Sequence, residues 1–184
     1  PDIGAALVDS SDVNMISFTG SSIVGAKIME SGGKTMKRLL MELGGKGALI
    51  MTEDCDIQAA VGGIASVWGF HSGQICTAPT RVICHKSIYE ETVATLKATS
   101  EFMTVGDARE EGTLVGPVIT ETHRDRVESF IQSGIDDGAE VIVGGERPDR
   151  DGYFIAPTLL AGCNPALHVV QEDAVGPVVV LSLL

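Results

Sequence analysis

Asn14-Met15-Ile16-Ser17-Phe18-Thr19 followed by Gly20-Ser21-Ser22, and then Arg38-Leu39-Leu40-Met41-Glu42-Leu43, are the stretches whose reading decides the fold. The first is β-prone and breaks at Gly20, after which Ser21 and Ser22 offer N-cap oxygens for a helix reaching about Gly32. The second has the dense apolar content of a strand buried on both faces, the pattern of a parallel sheet covered by helices. The result is a strand-helix-strand unit.

Working outward, Gly44-Gly45-Lys46-Gly47 breaks the chain, and Ala48-Leu49-Ile50-Met51 reads as a short buried strand ending in the acidic turn Glu53-Asp54-Cys55-Asp56. Asp56 is placed to cap a helix of small and apolar residues running from Ile57 to about His71. That helix stops at Ser72-Gly73 and delivers Cys76 on a loop. Arg81 to Cys84 is strand-like, and Ser87 to Thr99 and Glu121 to Asp137 read as amphipathic surface helices. Val141-Ile142-Val143 is a further strand between the Gly138 break and the Gly144-Gly145 turn. Alternating helices and strands make this an α/β fold around a mostly parallel sheet. No internal repeat is visible, and Gly144 to Gly152 is too short for a linker. The domain boundary is expected near Gly44-Gly45, dividing 1–44 from 45–184.

Composition narrows the functional classes. The chain has 184 residues, 44% of them hydrophobic, and its 13 basic against 25 acidic residues give a net charge of -12. Such a balance repels phosphate backbones and anionic bilayers, so nucleic-acid and membrane partners are disfavoured. The stretch Ile57 to Phe70 carries Gln58 and three glycines and falls short of the roughly 20 apolar residues of a membrane span. Four cysteines, at 55, 76, 84 and 163, show no CxxC spacing and no His-rich neighbourhood. Neither a metal site nor a disulfide framework is expected, and reduced thiols in a cytoplasmic protein are the simplest reading. The chain opens on Pro1 without a secretory start and closes on the apolar run Pro177 to Leu184, which would present an unpartnered strand edge. It reads as an internal piece of a longer polypeptide.

Three segments carry candidate chemistry. In Gly73-Gln74-Ile75-Cys76-Thr77-Ala78 a cysteine follows a long apolar helix among small residues that let a substrate approach. Cys76 reads either as a nucleophile or as an inert buried thiol. In Met41-Glu42-Leu43-Gly44-Gly45-Lys46 a carboxylate sits at the carboxyl end of an apolar strand, the edge where open α/β sheets build their sites. Burial there would raise the Glu42 pKa toward that of a general base. The alternative is a solvated strand-end Glu, with Lys46 as its counter-ion. In Phe18-Thr19-Gly20-Ser21-Ser22-Ile23-Val24-Gly25 a strand turns at glycine into a helix whose free N–H groups suit a pyrophosphate or simply form a capped helix start. Gly32-Gly33-Lys34-Thr35 is not a phosphate loop, because Ile28 occupies the position of its first glycine.

In this order the three segments resemble the signature blocks of the aldehyde dehydrogenase superfamily: the cofactor-contacting turn, the glutamate box and the cysteine box. The resemblance spans nearly the whole chain. Gly116-Pro117 with its following helix, Gly152-Tyr153-Phe154 with Pro157-Thr158, and Glu172-Asp173-Ala174-Val175-Gly176-Pro177 add to it. The last is similar to a late block that contacts the nicotinamide ribose. This chain departs from the family in carrying Asp173 where Glu is usual, Val175 where Phe is usual and Ala48 where Pro is often found. His71 and His123 are taken as structural or surface residues. By family position His123 and Arg126 approach a cofactor ribose, but an exposed helical face is the preferred reading.

The resemblance implies an oxidoreductase that turns an aldehyde into a carboxylic acid with NAD or NADP. Cys76 forms a thiohemiacetal and then a thioester, and Glu42 activates the hydrolytic water. Gly20, Ser21, Gly25, Leu43 and Asp173 are implied to hold the cofactor, and the Cys76 N–H to hold the oxyanion. Residues 1–44 would end the cofactor-binding domain and 45–184 belong to the thiol-bearing catalytic domain. The expected partners are a small aldehyde and further copies of the whole protein, as a dimer or tetramer. A second oxyanion donor lies upstream in the family, so the chain alone is expected to be inactive or very weak. Two other readings stay open: an enzyme that passes the acyl group to coenzyme A, which tends to lack the glutamate, and a non-catalytic module on the same fold.

Overall fold

The computed structural model describes residues 2–184. The chain divides into two compact units, one ending at Gly44 and the other running Gly45–Leu184.

The first unit contains α1 (Asp2–Asp9), β1 (Met15–Gly20), α2 (Ser22–Gly33) and β2 (Arg38–Leu43). The strands pair in parallel, from Met15↔Arg38 to Gly20↔Leu43. Helix α2 turns Gly25, Ile28 and Gly32 inward. The absence of a side chain at Gly25 decides how closely helix and strand pack, because a Cβ there would lie 2.6 Å from Leu43 Cδ2. Lys37 fixes the approach to β2 by donating to the carbonyls of Ser10 and Val13 at 2.6 and 2.7 Å. The expectation that β2 is buried on both faces is corrected here. Leu39, Met41 and Leu43 are half-buried, whereas Arg38, Leu40 and Glu42 are exposed. Only the face toward α2 is covered, so apolar content on the other face has nothing to pack against within this unit.

The second unit contains β3 (Ala48–Met51), α3 (Ile57–Gly69), β4 (Arg81–Cys84), α4 (Tyr89–Ser100), α5 (Glu121–Asp136), β5 (Glu140–Val143), β6 (Thr158–Ala161), α6 (His168–Gln171) and β7 (Val178–Leu183). The sheet order is β3-β4-β7-β6-β5. All neighbours are parallel except β5 and β6. Burial on both faces belongs to the centre of this sheet. Val179 and Leu181 of β7 join a core with Ile64, Trp68 and Leu96, while Val178 and Val180 join another with Val127, Phe130 and Val169. Helices therefore cover both sides, as parallel sheets require. Two expectations are corrected. The run ending at Leu184 is an interior strand rather than an edge strand: β7 pairs with β6 over Val178 to Val180 and with β4 over Val180 to Leu183. Strand β3, expected to be buried, lies at the sheet edge with Ala48 and Ile50 exposed.

Candidate active site

The cysteine loop is set by the helix before it. Asp56 caps α3, its Oδ1 accepting the Ala59 N–H at 3.0 Å. Ile57, Val61, Ile64 and Trp68 form the buried stripe, each worth roughly 1.5–3 kcal/mol of apolar burial. The indole of Trp68 donates to Pro177 O at 2.9 Å. Beyond Gly69 the chain reverses through His71, Ser72 and Gly73, with φ of 49°, 57° and 70°. A glycine is required at the last of these. A Cβ on Gly73 would meet Gly176 O at 2.2 Å.

Side chains then clamp the loop. Ser72 Oγ donates to Gly116 O at 2.8 Å. Gln74 donates to His71 O at 2.9 Å and accepts the Ile119 N–H at 3.1 Å. Gly47, just before β3, lies close enough to Ala78 O that a Cβ would be 2.6 Å away. The tight turn closed by Ala78 N donating to Ile75 O at 3.1 Å presents Cys76. Its thiol is exposed, whereas Cys84 and Cys163 are buried and Cys55 is half-buried. Burial pushes the Cys84 thiol up and that of Cys163 to about 11, so neither is a competent thiolate at neutral pH. Among the described residues the Cys76 N–H donates to no other group. A cleft of about 690 Å³ lined by His71, Ser72, Gln74, Thr113, Pro117 and Ile119 runs beside this loop, without Cys76 in its wall.

The late block packs onto the same loop. Asp173 Oδ1 accepts the Val175 N–H at 3.3 Å and lies 4.0 Å from Lys46 Nζ. Val175 has φ 55°, a left-handed conformation that costs a β-branched residue about 1–3 kcal/mol. Its carbonyl is 2.7 Å from His123 Nε2. His123 is therefore half-buried and engaged rather than on an exposed face, which corrects that reading, while Arg126 is exposed and lies 5.1 Å over the Phe130 ring. Lys46 is a counter-ion for Glu42 only in the alternative reading of that carboxylate; the ion pair it forms among the described residues is with Asp173. Sequence reasoning gave Lys46 and His123 no part in this cluster. The signal available was a lone lysine set between glycines.

In the first unit, Ser21 caps α2, its Oγ accepting the Val24 N–H at 3.3 Å, and Gly25 N donates to Ser21 O at 2.9 Å. Among the described residues the Ser22 and Ile23 N–H groups find no partner, as at an anion-accepting helix start. The register Thr19↔Glu42 and Gly20↔Leu43 brings Glu42 to the same sheet end. Glu42 is exposed, which corrects the expectation that it is buried at the strand end. Gly20, Ser21, Gly25, Leu43 and Glu42 are thus gathered in one unit, and Cys76 and Asp173 in the other. No group of His, Cys, Asp and Glu suited to a metal ion occurs among the described residues, and no described helix is long and apolar enough to cross a membrane.

Comparison with known proteins gives one answer. The model of the aldehyde dehydrogenase family matches residues 1–183. Vanillin dehydrogenase of an Amycolatopsis strain is 39% identical over 97% of this chain, and the chloroplastic betaine aldehyde dehydrogenase of Atriplex hortensis 37% identical over 97%. The structure of a Bacillus cereus aldehyde dehydrogenase in complex with NAD+ superposes with a TM-score of 0.94 at 35% identity, over 98% of this chain and 37% of that one. The chain spans 36% of the length of both curated relatives. On the family match over nearly its full length, the chain belongs to the aldehyde dehydrogenase family.

Proposed function

We propose that the whole protein oxidises a small aldehyde to its carboxylic acid, with Cys76 as the nucleophile and Glu42 as the base that activates water. The observation that carries this reading is the presentation of Cys76: an exposed thiol on a clamped turn, with its own N–H unengaged. Attack of Sγ on the aldehyde carbon places the new oxyanion within reach of that N–H, which stabilises charge as it develops. The thiol proton passes to Glu42 or to solvent. Once the adduct on Cys76 has been oxidised to a thioester, Glu42 takes a proton from water as the water oxygen bonds to the acyl carbon. The C–S bond then breaks and the acid leaves. A carboxylate base favours water over coenzyme A as the acyl acceptor.

The residues present fit a dinucleotide. The free N–H groups of Ser22 and Ile23 at the start of α2 suit a phosphate. Gly20, Ser21, Gly25 and Leu43 would shape that end of the sheet. The chemistry NAD or NADP supplies when bound is the hydride acceptor, and the NAD+ complex of the Bacillus cereus relative supports that choice. Vanillin and betaine aldehyde, the substrates in the names of the two relatives, support a small aldehyde without selecting one. The same reading carries a cytoplasmic location, supported by four unpaired thiols. It also carries assembly of the whole protein into a dimer or tetramer, supported by exposed apolar Ile23 and Met29 on α2. Cys76→Ser in the whole protein should abolish aldehyde-dependent reduction of the dinucleotide, followed by absorbance. An unchanged steady-state rate would sink the assignment.

A further inference from the structure

We propose that Asp173 is a positioning residue, held inward by Lys46, that braces the 173–177 segment against the cysteine loop rather than presenting a free carboxylate to a cofactor ribose. The inference rests on Cys76 as the nucleophile. Lys46 is buried, its Nζ makes no hydrogen bond, and its one ion-pair partner among the described residues is Asp173 Oδ1 at 4.0 Å. That same oxygen accepts the Val175 N–H at 3.3 Å, so it is committed twice to the interior.

From there three carbonyls of the segment are tied down. Val175 O is held by His123 Nε2 at 2.7 Å, and Pro177 O takes the indole N–H of Trp68 at 2.9 Å. Between them Gly176 O sits directly against Gly73, where a Cβ would be only 2.2 Å away. Gly73 O in turn accepts the Ile75 N–H at 3.0 Å, next to Cys76. A contact path therefore runs from Lys46 through Asp173, Val175 and Gly176 to the turn that presents the thiol. The left-handed Val175 shows that the segment is held in a conformation its own side chain resists. The buried amine supplies an attraction that fixes Asp173, because a burial-disfavoured charge keeps its one counter-ion close.

Site-resolved amide hydrogen exchange without dinucleotide tests this directly. In Asp173→Ala and Lys46→Met, the peptide covering residues 72–80 and the peptide covering residues 173–177 should exchange at least about fivefold faster than in the parent, while α4 is unchanged. Asp173→Asn, which keeps an acceptor for the Val175 N–H, should fall between, and it substitutes for Asp173→Ala should that variant not fold. In the whole protein the same variants should lower kcat with the dinucleotide KM kept. Exchange in the cysteine loop unchanged, exchange raised equally in α4, or a raised dinucleotide KM with the loop unaffected would each overturn the inference. The exchange arm does not depend on turnover, so it separates failure of the brace from failure of the catalytic reading.

Discussion

Lys46 illustrates how one side chain can oppose stability while organising a site. Burial pushes its ammonium down from 10.5 to about 8, Asp173 resisting and Arg81 adding to the shift. When the folded pKa of an amine is depressed, its proton is bound more readily by the unfolded chain. Between pH 8 and 10.5 the unfolded state therefore holds a proton that the folded state has released, and stability rises with pH across that window. The total is of order 3 kcal/mol. Below pH 8 both states are charged and the full penalty remains. The unfolding free energy of the parent minus that of Lys46→Met should accordingly increase between about pH 8 and pH 10, as read by urea denaturation. A difference flat across that range would contradict the burial of this amine. The lysine was visible in the sequence, but its partner was not. Local spacing offers Glu42 as one alternative, whereas the pairing with Asp173 depends on how a distant loop returns to the start of β3.

Among the elements, α3 with its loop was the most legible. Asp56 as cap, a helix of small and apolar residues from Ile57, and the stop before Cys76 each follow from local chemistry, and each is found, with the helix ending at Gly69. Strands were harder, because a continuous apolar run is the same string whether one face or two are covered. Arg38 to Leu43 reads as buried on both faces and is covered on one, while the doubly buried strands are β6 and β7. Helix α1 is absent from the sequence reading; its Ile3 and Leu7, at helical spacing, are exposed. The left-handed turn of His71, Ser72 and Gly73 was likewise hidden, for only the last is a residue that favours it. That turn gives a sharp contrast between glycines. Gly73→Ala must carry a side chain at φ 70° against Gly176 O and should cost at least about 2 kcal/mol. Gly62→Ala, with open space around it inside α3, should gain roughly 0.5–1 kcal/mol of helix propensity. Equal thermal shifts in the two variants would show that the loop is not braced as described.

At the scale of the whole molecule, the strand-helix-strand pattern and the later alternation of helices and strands were sufficient to identify an α/β chain. Three weak motifs in order were sufficient to suggest its family, which the family match then showed. Each motif alone was ambiguous: an exposed Glu42, a capped helix start and a single cysteine each have ordinary readings. What the structure adds is a physical distinction among the four thiols, three withdrawn to differing degrees and one presented. The account therefore stands or falls on covalent chemistry at Cys76. The most direct measurement uses Glu42→Gln in the whole protein, mixed with aldehyde and oxidised dinucleotide, quenched in acid and mapped by peptide mass. It should show one acyl group per chain on the peptide bearing Cys76, formed in a single burst of reduced dinucleotide with turnover blocked. A Cys76 peptide of unmodified mass, or turnover at the parent rate, would contradict it.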